Sequence, residues 1–76
     1  MGIKIAANNF HDMECIVNML EDLGYITART AAKWDLPTPP RDLSLKKADY
    51  NEVKTQLGLF MGSKRYPYTQ FYVEKL

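Results

Sequence analysis

The first residues that could do chemistry are His11 and Cys15, which are four positions apart. On a helix this spacing places both side chains on one face. There an imidazole and a thiol could act as base and nucleophile, or as two ligands of a zinc ion. The chain has no second His or Cys to complete a zinc site. His11 falls on the outer face of the predicted helix and Cys15 borders its core stripe, on a convex surface that does not exclude water. We therefore expect no catalytic residue, metal or cofactor there.

Two pairs of carboxylates are close in the sequence, Asp12 with Glu14 and Glu21 with Asp22. Acid–base catalysis by two carboxyl groups needs them across a cleft, in contrasting environments. These four project outward from the same predicted helix, so we interpret them as a solvated acidic face and do not expect an enzyme.

Asn8 and Asn9 precede this helix, and backbone N–H groups at a helix N-terminus can bind an anion. The only cation nearby in the sequence is Lys4, and no Gly-rich turn accompanies it. Gly62, Ser63 and Lys64 also lack the preceding glycine and the spacing of a phosphate-binding loop. A small-molecule sensor or minor enzyme with its site at Asn8 and Asn9 is therefore the third-ranked hypothesis.

The elements that position these residues follow from apolar periodicity. Residues 10–23 and 50–61 have the period of amphipathic helices. Asn9 and Asp49 are suitable N-caps, and Gly24 and Gly62 are placed to end the helices. The apolar residues are Phe10, Met13, Ile16, Val17, Leu20 and Leu23 in the first helix, and Tyr50, Val53, Leu57, Phe60 and Met61 in the second.

Four other segments, residues 3–7, 25–32, 42–47 and 68–76, alternate at a spacing of two, as half-buried strands do. The order βαββαβ predicts a single α+β domain over residues 1–76. Two right-handed crossovers would place both helices on one face of a four-stranded antiparallel sheet, in a two-layer sandwich. This order is similar to the ferredoxin-like arrangement, which leaves one sheet face open. We expect one core that contains Ile5, Val17, Leu20, Leu57, Phe60 and Phe71.

The bulk composition is that of an ordinary small globular protein. The chain has 76 residues, 46% hydrophobic and 25% charged, with a net charge of +1. A single cysteine excludes an internal disulfide and favours a reducing, cytoplasmic compartment. The N-terminus lacks a basic segment followed by an apolar run, and no apolar stretch approaches the ~18 residues of a membrane span. Charge is uneven, with −3 over residues 1–28 and +4 over residues 29–76.

The irregular segment 33–41 contains the best candidates for a protein contact, which are Trp34, Pro37, Pro39, Pro40 and Arg41. Trp and Arg are frequent interface anchors, and prolines reduce the entropy lost on binding. An alternative interpretation is that Trp34 folds back to seal the sheet edge while the prolines stiffen a long loop. The sequence leaves both interpretations open.

The C-terminal half could instead hold a single nucleic-acid strand through interleaved basic and aromatic residues. The candidates are Lys46, Lys47, Lys64, Arg65, Tyr68 and Tyr72. RNA-binding domains of this topology stack bases on aromatic residues of the two central strands. Here those positions are Lys4, Ala6, Ser44 and Lys46, and none is aromatic.

We therefore predict a non-enzymatic protein-binding module, a small regulator, inhibitor or adaptor that acts through the Trp/Pro-rich loop and an open sheet face. That face would show Lys4, Ala6, Thr27, Arg29, Ser44, Lys46, Gln70 and Tyr72, with Tyr68 beside them. Its short length and its start at Met1 suggest a free-standing protein of the kind that phages and mobile elements encode. Nucleic-acid binding is the alternative.

Overall fold

The computed structural model describes residues 2–60 and 69–76, except for the side chain of residue 60. These residues form a small α+β fold. Its elements are β1 (Ile3–Ala6), α1 (Phe10–Asp22), α2 (Ala28–Ala31), a 3₁₀ helix (Ala32–Asp35), β2 (Asp42–Leu45), α3 (Tyr50–Phe60) and β3 (Tyr72–Lys75).

The sheet is antiparallel, with β1 in the middle of the order β2-β1-β3. Ile5 lies opposite Leu43 on one side and Val73 on the other. Because side chains alternate along β1, Ile3 and Ile5 are fully buried while Lys4 between them is only half-buried. The sheet therefore has one core face and one open face.

Both long helices pack on the core face. Ile3 and Ile5 belong to the same hydrophobic cluster as residues of α1 and α3. Of the predicted core residues, Ile5, Val17, Leu20 and Leu57 are buried, and Phe71 packs against them half-buried. The side chain of Phe60 lies outside the described residues.

The predicted second strand, residues 25–32, is wrong, because this segment contains α2 and the start of the 3₁₀ helix. Thr27 caps α2, accepting a 3.2 Å hydrogen bond on Oγ1 from the Thr30 amide. The strand-like alternation of apolar residues in this segment rests on Ile26 and Ala28 alone, and alanine favours helix over strand. Among the described residues the sheet has three strands, so the predicted four strands and the ferredoxin-like order are not confirmed.

The other predicted strands correspond to β1, β2 and β3, each shorter than expected. Of the predicted fourth strand, residue 68 lies outside the described residues, and residues 69–71 precede β3 without being part of it. The predicted helices are confirmed as α1 and α3. The predicted end of the second helix at Met61 and Gly62 also falls outside the described residues.

Side chains and glycine fix the helix ends. Asn9 Oδ1 accepts a 2.8 Å bond from the Asp12 amide, and Asp49 Oδ2 accepts a 2.9 Å bond from the Glu52 amide. At the end of α1, Gly24 has φ of 86° and its N–H donates to the Glu21 carbonyl. The next amide, of residue 25, donates to the carbonyl of residue 20, which completes a Schellman motif.

Gly24→Ala is expected to lower the free energy of unfolding by about 1–2 kcal/mol, because a Cβ is strained in the left-handed region. No atom lies within 4 Å of that added Cβ, so the cost is one of backbone conformation alone. Urea unfolding measures it.

Gly58→Ala is the matched control. Gly58 lies inside α3 and its added Cβ would also meet nothing within 4 Å. Here alanine should raise the free energy of unfolding by about 0.5–1 kcal/mol, through helix propensity. If Gly24→Ala raises the free energy of unfolding as Gly58→Ala does, the conformation assigned to Gly24 is incorrect.

Candidate functional site

The turn before α1 and the Pro-rich segment lie side by side and enclose a groove of about 580 Å³. The β1–β2 register explains why, since Ala6 lies opposite Asp42 and both segments leave the sheet at the same end. The lining residues of this groove, which we call the proline groove, are Ala7, Asn8, Asn9, Phe10, Met13, Pro37, Pro39, Pro40 and Arg41.

The proline groove combines apolar surface with one cation. Phe10 is 50% exposed although it opens an amphipathic helix, and Met13 below it is buried. Pro39 is half-buried, whereas Pro37 and Arg41 are exposed. The groove thus offers an aromatic ring and proline rings beside a guanidinium group.

The predicted anion site at Asn8 and Asn9 forms part of the same groove. Asp12 places a carboxylate in the first turn of α1. Its Oδ2 accepts a 3.2 Å hydrogen bond from Asn9 Nδ2. A negative charge at this position opposes the binding of a second anion. The arrangement therefore indicates that the two asparagines line a groove and do not form an anion-binding pocket.

Trp34 does not line the proline groove. It lies on the 3₁₀ helix, is 2% exposed and belongs to the hydrophobic core. Its indole Nε1 is buried and has no hydrogen-bond partner among the described residues. The structure thus agrees with the interpretation in which Trp34 folds inward, and it leaves the neighbouring Leu36 exposed instead.

Charges on the open sheet face are largely compensated. The Nζ of Lys4 lies 3.7 Å from a carboxylate oxygen of Asp42 and 3.7 Å from one of Glu74. These groups are solvent-exposed, so each pair contributes little stability. Of the residues predicted on this face, Thr27 is instead the N-cap of α2 and Arg29 lies within α2.

The candidates for nucleic-acid binding are not brought together in the described part of the chain. Lys46 directly follows the end of β2, at the end of the sheet where Ile3 lies. Tyr72 lies opposite Ala6, at the other end of the sheet. Lys46 and Lys47 line a shallow pocket of about 430 Å³ that is also lined by the acidic residues Asp49 and Glu52. The remaining candidates, Lys64, Arg65 and Tyr68, lie outside the described residues.

His11 and Cys15 do share a helix face, with Nε2 and Sγ 3.8 Å apart. His11 is exposed and Cys15 is half-buried. Among the residues that the structure describes, no group of three or more His, Cys, Asp or Glu side chains is placed to hold a metal ion. The contact is a pair at the helix surface.

Sequence reasoning missed two residues that matter here. Periodicity assigned Phe10 to the core stripe of the helix. Its place beside the N-cap, at the very start of the helix, was the signal that it could remain exposed. Tyr25 was assigned to a strand, but its hydroxyl donates a 3.1 Å hydrogen bond to Glu52 Oε1. Burial, that hydrogen bond and the charges of Glu52 and Asp49 raise the pKa of Tyr25 above its ordinary value.

No protein-family model matches the chain, and neither does a curated protein or a solved structure. None of the described helices is both long and apolar enough to cross a membrane.

Tyr25→Phe should lower the free energy of unfolding at neutral pH by about 0.5–1 kcal/mol, because one hydrogen bond between α3 and the end of α1 is lost. The folded state raises the tyrosine pKa, so this contribution is fully present below pH ~10 and is lost as pH rises further. Urea unfolding should therefore show that wild type and variant differ less in free energy of unfolding above pH ~10 than at neutral pH. A difference that grows with pH would contradict the assigned bond.

Proposed function

We propose that this protein is a small regulator, inhibitor or adaptor that binds another protein through the proline groove. The observation that carries the proposal is the half-exposed ring of Phe10, which lies in a groove walled by prolines and edged by Arg41. Exposed apolar surface collected in a concavity is typical of interaction sites.

The prolines in the walls of the groove favour binding because their backbones are restricted. Pro37, Pro39 and Pro40 have restricted backbones, so little conformational entropy remains to be lost when a ligand binds. The inward anchor of Trp34 fixes the start of this segment, and the pairing of β2 with β1 fixes its end.

The chemistry of the groove indicates its occupant. Phe10 and the prolines accept an apolar side chain, and the exposed guanidinium of Arg41 pairs with a carboxylate. The proposed ligand is therefore an extended segment of a partner protein with an aromatic or aliphatic residue near an acidic one.

The open sheet face can extend this contact. Ala6, Asp42 and Tyr72 form the last row of the sheet, at the end where the groove lies. Tyr72 is 56% exposed in that row. A partner seated in the groove could thus also cover the ring of Tyr72.

Peptides selected against the wild-type protein from a random library test this proposal. We expect the selected peptides to combine an apolar and an acidic residue, and Phe10→Ala or Arg41→Ala to weaken their binding by about 1–3 kcal/mol in titration calorimetry. The matched controls, Leu59→Ala for an exposed apolar side chain and Arg29→Ala for an exposed cation, should leave affinity unchanged. Peptides that bind the Phe10→Ala/Arg41→Ala double variant as well as the wild type would contradict the groove as the site.

Nucleic-acid binding is the alternative that salt dependence distinguishes. Binding to phosphates releases counterions, so affinity falls steeply with salt. Micromolar affinity for single-stranded RNA or DNA at ~150 mM salt, insensitive to Phe10→Ala and Arg41→Ala, would replace the proposal.

A further inference from the structure

The outer edge of β2 has no backbone partner among the described residues, since β2 pairs with β1 on one side only. An edge strand presents N–H and C=O groups that can pair with a further strand. One hydrogen bond at the end of the sheet shows which groups these are. The Leu76 amide donates to the Gly2 carbonyl at 3.0 Å, so Gly2 and Leu76 form a hydrogen-bonded pair that continues the ladder between β1 and β3.

Hydrogen-bonding directions alternate along an antiparallel strand, and this alternation identifies the outward groups of β2. Because Gly2 bonds towards β3, the odd-numbered residues of β1 bond towards β2. Their partners in β2 are Leu43 and Leu45. The N–H and C=O groups of the other two residues of β2, Asp42 and Ser44, therefore point to the outer edge.

The charges along this edge are arranged symmetrically about Ser44. Asp42 precedes Ser44 by two residues, and Lys46 follows it by two. The side chain of Asp42 remains 50% exposed although the Nζ of Lys4 lies 3.7 Å from its Oδ2. Lys46 is exposed and forms no ion pair with another described residue. A second strand with the same sequence, running antiparallel and centred on Ser44, would oppose each aspartate to a lysine.

We propose that two copies of this protein pair β2 with β2 in an isologous dimer, with the two-fold axis beside Ser44. The Ser44 N–H of each copy donates to the Ser44 carbonyl of the other copy. Asp42 then faces Lys46 of the other copy on the open sheet face, and Leu43 faces Leu45 on the core face. Cross-strand pairs of opposite charge and of apolar side chains both stabilise a sheet. The two three-stranded sheets become one sheet of six strands.

A second copy fits this edge because the symmetry itself supplies the complementary charges. The net charge of +1 gives little repulsion between copies. The outer edge of β3 lacks this property. A two-fold axis at Val73, which bonds outward there, would oppose Glu74 to Tyr72 and Lys75 to Phe71, so no pair of opposite charges forms.

This inference goes beyond the proposed function and does not depend on it, because none of Asp42, Ser44 and Lys46 lines the proline groove. Sedimentation equilibrium over a range of concentrations measures the dimer. We expect a dissociation constant in the micromolar range, because a small interface gives a transient complex.

Charge reversal tests the register. Asp42→Lys and Lys46→Asp each oppose two like charges and should weaken the dimer by about tenfold or more. The double variant Asp42→Lys/Lys46→Asp restores opposite charges and should restore the dimer. Glu74→Lys is the matched control. It makes the same charge change as Asp42→Lys, also 3.7 Å from the Nζ of Lys4 but on β3, and should dimerise as wild type does.

A covalent crosslink tests the same register without a change of charge, which keeps the proposal testable if a charge variant misfolds. The two copies of Ser44 would have Cα atoms about 5.5 Å apart, as in any hydrogen-bonded antiparallel pair, which a disulfide can span. Cys15→Ser removes the native thiol. In that background, Ser44→Cys should form a disulfide-linked dimer under mild oxidation about tenfold faster than Glu74→Cys does.

Three outcomes would overturn the proposal. One is a protein that stays monomeric to millimolar concentration. Another is a dimer that both single charge reversals leave unchanged, or that the folded double variant does not restore. The third is crosslinking of Ser44→Cys no faster than that of Glu74→Cys.

Discussion

The burial of Trp34 is the interaction on which the arrangement of residues 27–41 depends. An indole ring is among the largest apolar surfaces a chain can bury, and here it is 2% exposed. The helical path of α2 and the 3₁₀ helix carries it to the core beside α1. The burial leaves Nε1 without an acceptor among the described residues, a cost that the buried apolar area outweighs. The proline groove exists because this segment is held against the rest of the fold.

Local signals made the helices predictable, and a local signal also caused the main error. Asn9, Asp49 and Gly24 act through groups within a few residues, so their roles could be assigned from sequence spacing alone. The segment after Gly24 alternates briefly like a strand, but Thr27 caps a helix there. The inward position of Trp34 decides the conformation of this segment. It is a tertiary contact, which local periodicity cannot predict.

The candidate site was predictable in its parts but not in its assembly. Pro37, Pro39, Pro40 and Arg41 were identified by residue type, and Asn8 with Asn9 by their place before a helix. That they line one groove follows from the pairing of Ala6 with Asp42, which requires the strand register. Phe10 was placed in the core because periodicity gives the face of a helix but not how far the partner layer covers it. For Trp34 the residue type fits both an interface anchor and a core residue, so only the fold decides.

Trp34 is a core residue that positions the proline-containing segment after it. As the only tryptophan it can be measured without interference, by its fluorescence emission and by acrylamide quenching in the folded protein. We predict a blue-shifted emission and quenching far weaker than in the urea-unfolded chain, because water and acrylamide are excluded from the ring. An emission and a quenching constant that match those of the unfolded chain would show that Trp34 is exposed and does not anchor this segment in the core.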